Sequence, residues 1–187
     1  SATDFRHFNA VQKDLLGWLN FSSAPAIGNI TNTGDYVLSR YETSGAGAHA
    51  YYWVNPITNK KFFFEYRSNH GFDTGISGVT VRVNGLSVAE QNAMAINGMS
   101  PEYTQFYTYA ETFLIDTHPE TNTLYDALLT TGQSFTDPVT GSTFTVTSMN
   151  SDSAVLHVNA TTSCSRKPAI SITPVNQMHD QESPFVN

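Results

Sequence analysis

Histidine, cysteine and acidic residues, the side chains that bind catalytic metals, are widely scattered in this sequence. None of the six histidines lies within five residues of another, and the motif H-E-x-x-H is absent. A catalytic zinc site needs several His or carboxylate ligands. A helix often supplies two of them four residues apart, as the two histidines of H-E-x-x-H are. Cys164 is the single cysteine, which disfavours a thiolate site. We therefore predict that this chain itself holds no zinc and carries no catalytic residue.

An acidic, turn-rich stretch in the second half of the chain is the candidate for calcium binding. Its carboxylates include Asp116, Asp126 and Asp137. Calcium takes oxygen ligands from carboxylates and backbone carbonyls. The same residues also suit loop caps, because Asp side chains accept hydrogen bonds from backbone N–H groups in turns. Both interpretations stay open, and calcium is the only cofactor that these residues suggest.

Two further groups of residues suggest an ion pair and a ligand surface. Glu65 and Arg67 lie two apart in an alternating segment, so they share one face of a strand and predict either a structural ion pair or hydrogen bonds to neighbouring loops. Tyr51, Tyr52 and Trp53 are aromatic neighbours that would suit stacking on a sugar ring. Packing in the core is the alternative for these aromatics, because strands bury such side chains.

Composition and charge limit the class of partner. The chain has 187 residues, 13% of them charged, and a formal net charge of −7. Phosphate binding needs concentrated positive charge, so nucleic acid and anionic membranes are disfavoured as partners. No apolar run approaches the roughly 18 residues of a membrane span. The Ser, Thr, Asn and Gly content is typical of secreted β-rich proteins, and we expect an extracellular protein.

The elements that must position these residues begin with one helix. Apolar residues recur at helical spacing within residues 9–19, at Val11, Leu15 and Trp18. Asn9 is the predicted N-cap, with Gln12 as its reciprocal capping partner. From about residue 23 the apolar period becomes two, which predicts strands. The strand segments are 36–41, 62–67, 79–83, 143–147 and 154–158.

These strands predict an all-β fold, an antiparallel β-sandwich with a short N-terminal α-helix. One or two small helical insertions are expected, at Ser87–Asn97 and Leu124–Leu129. We expect three parts along the chain. Residues 1–22 carry the helix, residues 23–160 form the sandwich, and residues 161–187 form a linker and the start of a further β-module.

An ordered set of segments resembles one family of secreted proteases. The segment His7–Leu19 resembles the stretch after the Met-turn in gametolysin-like zinc metallopeptidases, and more distantly the immune inhibitor A-type proteases. Downstream segments resemble the same proteins in the expected order over residues 7–168. The family-pattern positions are Asn9, Gly17, Trp18, Glu65, Arg67, Asp73, Asp116, Pro119, Gly132 and Asp137.

The resemblance implies that residues 1–22 are the last helix of a truncated catalytic domain and that residues 23–160 are the accessory sandwich behind it, both beyond the zinc site. In that family the zinc ligands and the general-base glutamate precede the helix, so zinc is expected in a preceding catalytic domain. The implied function is a non-catalytic accessory domain that buttresses the catalytic domain or contributes to substrate recognition. The implied partners are that catalytic domain, the downstream β-module, and a protein or glycan substrate. The alternative is a carbohydrate- or cell-surface-binding sandwich module.

Overall fold

The computed structural model describes residues 8–16, 27–40, 47–84, 112–121 and 126–161. They form a mostly β structure with one short N-terminal helix, which confirms the predicted fold class. The elements are α1 (Ala10–Leu15), β1 (Ile27–Asn29), β2 (Gly34–Ser39), β3 (Ala50–Val54), β4 (Lys61–Arg67), β5 (Gly78–Asn84), β6 (Phe113–Leu114), β7 (Leu128–Leu129), β8 (Ser134–Thr136), β9 (Thr143–Met149) and β10 (Ser153–Asn159). A short 3-10 helix spans Gly71–Asp73.

The strands form two sheets. The first has the order β1-β3-β4-β5-β6, with β7 also paired to β5, and the second has the order β2-β10-β9-β8. All of these pairs are antiparallel except β1 with β3, which is parallel. The antiparallel sheets expected from the period-two pattern are therefore present, with one parallel strand at an edge.

The main apolar core lies between the two sheets, and a smaller cluster of Ala10, Ala50 and Ile27 lies where α1 meets the first sheet. Alternate residues of β4 and β5 point inward from the first sheet, and alternate residues of β9 and β10 point inward from the second. The rings of Phe64 and Phe144 stack across the core with centroids 4.5 Å apart, and both residues have no exposed area. Burial of such rings is the main stabilising contribution of the sandwich.

Strand β4 is buried on both of its faces. Its residues Phe62 to Arg67 are all buried, including Glu65 and Arg67 on the face that points away from the core. A strand at the centre of a sheet with both faces covered needs polar partners for its buried charges. Those partners form the candidate site.

Two hairpin turns at one end of the sandwich share the same construction. In the β3–β4 turn, Asn59 donates its N–H to the Asn55 carbonyl at 2.9 Å, and Asn59 has φ 60°. In the β8–β9 turn, Gly141 donates to the Asp137 carbonyl at 2.9 Å, and Gly141 has φ 74°. The side-chain amide of Asn55 donates to Asp137 Oδ2 at 2.9 Å and joins the two turns.

One predicted helical insertion is wrong where the structure describes it. Leu128 and Leu129, which end the segment predicted as a helical turn, form β7 and pair with Thr80 and Val79. Tertiary pairing with β5 overrides the short local helical signal. The insertion predicted at 87–97 lies outside the described residues. No helix in the described ranges is long and apolar enough to span a membrane.

Candidate functional site

The N-terminus of α1 is capped by its own residues, as the sequence predicts. The Asn9 side chain accepts a hydrogen bond from the Gln12 N–H at 3.0 Å. The Gln12 side chain accepts one from the Asn9 N–H at 3.1 Å. This reciprocal capping box satisfies two of the N–H groups that lack partners at the start of a helix.

A third N–H at the start of the helix is satisfied by the sheet. The N–H of Ala10 donates to Glu65 Oε2 at 2.6 Å, across 55 positions of sequence. Arg67 Nη2 donates to the carbonyl of Phe8 at 3.3 Å. Hydrogen bonds to charged groups are stronger than neutral ones. Two charged side chains of β4 therefore hold the residues at which the helix begins.

Glu65 and Arg67 belong to a buried charge cluster on the face of β4 that points away from the core. Arg67 Nη2 lies 2.7 Å from Glu65 Oε1, and Arg67 Nη1 lies 3.0 Å from Asp73 Oδ2. Thr80 Oγ1 donates to Glu65 Oε1 at 3.2 Å, and Arg82 Nε lies 3.6 Å from the same oxygen. The ion pair predicted between Glu65 and Arg67 is confirmed.

The electrostatics of the cluster keep Glu65 and Arg67 charged. Burial alone would raise the pKa of Glu65, but the positive charges of Arg67 and Arg82 outweigh it and lower the pKa. Burial would lower the pKa of Arg67, but Glu65 and Asp73 outweigh it and raise the pKa. Two carboxylates face two guanidinium groups, which offsets part of the desolvation cost of each charge, while Asp73 Oδ1 is buried with no hydrogen-bond partner among the described residues.

The sheet register and the 3-10 helix bring these residues together. Glu65 lies directly opposite Thr80 in the β4–β5 ladder, which places the polar face of β5 beside it. Asp73, the last residue of the 3-10 helix, reaches Arg67 from the loop between β4 and β5. The cluster therefore ties α1, two central strands and one loop into a single unit. Each of its described contacts is a hydrogen bond or ion pair within the chain.

Two of the three calcium candidates, Asp116 and Asp137, accept hydrogen bonds in turns, and Oδ1 of the third, Asp126, is buried with no hydrogen-bond partner among the described residues. Asp116 Oδ1 accepts the N–H of His118 at 2.9 Å in a local turn. Asp137 Oδ2 accepts hydrogen bonds from Asn55 Nδ2, from the Thr140 N–H at 2.7 Å and from Thr140 Oγ1 at 2.6 Å. Within the described ranges no group of three His, Cys, Asp or Glu residues is placed to hold a metal ion. Calcium binding stays a prediction.

The three candidate ligand aromatics are divided between the two faces of β3. Trp53 is buried in the core, with its ring 5.2 Å from that of Phe144. Tyr51 lies half-buried on the same side, edge-on to Tyr36 at 5.1 Å. Tyr52 lies opposite Phe63 in the ladder, and Lys61 Nζ lies 5.3 Å from the centre of its ring. The structure therefore does not present the three rings on one surface.

The remaining family-pattern positions lie in turns or outside the described part of the chain. Gly132 has φ 89°, a left-handed conformation that favours glycine, and it precedes β8. Pro119 is exposed in the turn that follows Asp116. Gly17 and Trp18 lie outside the described residues. We expect the apolar stripe of Val11, Leu15 and Trp18 to dock on the sandwich, and this stays a prediction because Trp18 lies outside the described residues.

Sequence reasoning missed Thr80 and Arg82 as members of the cluster. Both lie in β5 between the valines that face the core, so their alternation with Val79, Val81 and Val83 was the available signal. The alternation alone does not give the strand register, which places Thr80 directly opposite Glu65.

A comparison of the chain with protein-family models, curated proteins and solved structures found no match in any of the three.

Proposed function

We propose that this chain is a non-catalytic accessory module of a secreted zinc metallopeptidase. In this proposal the sandwich buttresses the catalytic domain that precedes it. The family resemblance of residues 7–168 supports the identity of that domain. The buried anchor of α1 supports the mechanical role, because it fixes the point at which the polypeptide before Phe8 joins the sandwich.

The hydrogen bond from Ala10 to Glu65 is the observation that carries the proposal. A helix of six residues is too short to be stable by itself in water, so its position depends on tertiary contacts. Here those contacts are made by charged groups that are themselves buried and paired, and by the packing of Ala10 against Ala50 and Ile27. Such a joint resists bending, because any displacement of α1 would leave a buried carboxylate without one of its donors.

The test compares the purified chain with the same protein extended upstream to include the coding sequence that precedes Ser1. Both are dialysed against zinc, their metal content is measured by mass spectrometry, and cleavage of casein is followed. We expect stoichiometric zinc and casein cleavage in the extended protein and neither in the chain alone. Zinc-dependent cleavage by the chain alone, or an extended protein that binds no zinc, would contradict the proposal.

A further inference from the structure

Two large apolar residues are exposed in the joined hairpin turns, Ile57 in the β3–β4 turn and Val139 in the β8–β9 turn. They are 48% and 46% exposed, respectively. Each lies two positions after one of the joined residues, Asn55 or Asp137, and each follows an exposed proline. Turns favour polar residues and glycine, so an exposed Ile or Val at the same position of both turns indicates an interaction surface.

The backbone beneath these side chains is held in place by hydrogen bonds. We call the turn platform the exposed surface formed by Pro56, Ile57, Pro138 and Val139. Asn55 Oδ1 accepts the N–H of Ile57 at 2.8 Å, and Asn55 Nδ2 donates to Asp137 across the two turns. A surface whose backbone is already fixed loses little conformational entropy when a partner binds to it.

The chain leaves the sandwich beside the turn platform. Thr161, the last residue that the structure describes, donates its N–H to Ser142 Oγ at 3.1 Å and its hydroxyl to the Thr140 carbonyl at 2.7 Å. Ser142 and Thr140 are both buried in the β8–β9 turn. The Thr140 hydroxyl donates to Asp137 Oδ2 at 2.6 Å. One network of hydrogen bonds therefore joins the exit of the chain to the base of the platform.

The residues that follow Thr161 include an apolar segment of matching chemistry. Residues 168–174, which the sequence predicts to begin a further β-module, carry Ile170 and Ile172 two positions apart. In an extended segment these two side chains share one face. Nine residues of extended chain separate Thr161 from Ile170 and reach about 30 Å, whereas packed sheets lie about 10 Å apart. The segment can therefore reach the turns of both sheets.

We propose that the turn platform is the docking surface for residues 168–174 of this chain, with Ile170 and Ile172 packed against Ile57 and Val139. The contact fixes the direction in which the chain continues beyond the sandwich. This interface goes beyond the proposed function and does not depend on it, because the β3–β4 turn and Arg67, which holds α1, lie at opposite ends of β4.

The experiment uses the full 187-residue chain with 13C-labelled isoleucine and valine methyl groups. Nuclear Overhauser effects detect methyl groups that are in contact. We expect such effects between the methyl groups of the platform and those of Ile170 or Ile172, and we expect them to persist on dilution. A second copy of the chain is the alternative occupant. Effects between differently labelled copies in a mixed sample would place that copy on the platform and overturn the proposal.

Cleavage by trypsin after Arg166 gives an independent readout. Trypsin binds several residues on each side of the bond that it cuts, so cleavage there requires release of the docked segment. We expect Ile57→Asp combined with Val139→Asp to raise the cleavage rate by at least about tenfold, because docking would then bury two carboxylates against isoleucine.

The matched control is Val37→Asp. Val37 is 52% exposed in the middle of β2, opposite Val155, and lies outside both turns. This variant should leave the rate of cleavage after Arg166 within about twofold of that of the unmodified chain.

Three further results would overturn the proposal. These are an absence of methyl contacts between the platform and the segment, a cleavage rate that the two platform substitutions leave unchanged, and an equal rise with Val37→Asp. Retained dispersion of the amide spectrum in each variant shows that faster cleavage is not a loss of fold.

Discussion

Asn55 and Asp137 occupy equivalent positions in two hairpin turns, and a hydrogen bond of 2.9 Å joins their side chains. Each residue opens a turn that begins with an Asx-Pro pair and closes on a residue with positive φ. Asn55 Oδ1 accepts the N–H groups of Ile57 and Thr58, while Asp137 Oδ2 accepts that of Thr140. The pair joins the first sheet to the second at this end of the sandwich.

Replacing Asp137 should therefore destabilise both turns. Asp137→Ala leaves the Asn55 amide and the Thr140 N–H without their acceptor in a buried site, and we expect a loss of about 2–4 kcal/mol in the free energy of unfolding. Asp137→Asn keeps an acceptor oxygen and should cost less than half as much. Urea unfolding measures both variants, and an unchanged midpoint for Asp137→Ala would show that the joined turns contribute nothing to stability.

Removing the guanidinium from the charge cluster should be still more costly. Arg67→Met leaves Glu65 and Asp73 buried without their main counter-ion, and we expect the free energy of unfolding to fall by about 3–5 kcal/mol. The matched control is Lys61→Met, which removes a positive charge from the exposed first residue of the same strand and should cost less than about 1 kcal/mol. Equal losses in the two variants would contradict the structural role of the cluster.

His49 should make stability depend on pH just below neutrality. Burial lowers the pKa of His49 from its ordinary value of 6.5, against the effect of a hydrogen bond to the Arg40 carbonyl, and the charge of Lys13 lowers it further. On acidification the unfolded chain takes up this proton before the folded chain does. The contribution to stability is therefore complete above pH 6.5 and is lost as the pH falls toward the lower folded-state value.

The measurement for His49 is the melting temperature between pH 7.5 and pH 5.5. The protein should lose stability across this interval, and His49→Gln, which carries no titrating group there, should lose less. The melting temperature of each protein is plotted against pH, and the difference between the two slopes gives the contribution of His49 apart from the other titrating groups. Parallel slopes would mean that the imidazole takes up its proton as readily in the folded state as in the unfolded state.

Contacts between residues close in sequence were easier to predict than contacts between residues far apart in sequence. The capping box of Asn9 and Gln12 and the pair of Glu65 and Arg67 were predictable because three-residue and two-residue spacings place those groups together. The contact of Ala10 with Glu65 was not predictable, since it depends on how α1 docks on a sheet formed much later in the chain.

Sequence reasoning also left open choices that only packing decides. Trp53 suited both a ligand surface and the core, and the register of β3 with β4 places its ring beside Phe62 in the core. Leu128 and Leu129 suited a helical turn locally, but they complete an edge of the first sheet beside β5. In both cases the deciding contact comes from a strand distant in sequence.

Hydrogen exchange at the Ala10 amide tests the anchoring of α1 most directly. The N–H of the first residue of a helix has no partner within the helix, so in an undocked helix it exchanges at the rate of an unfolded chain. If Glu65 holds it, Ala10 should exchange only when the sandwich opens, with protection within about tenfold of the amides at the centre of β5. Exchange of Ala10 at the unprotected rate, while β5 stays protected, would contradict the account.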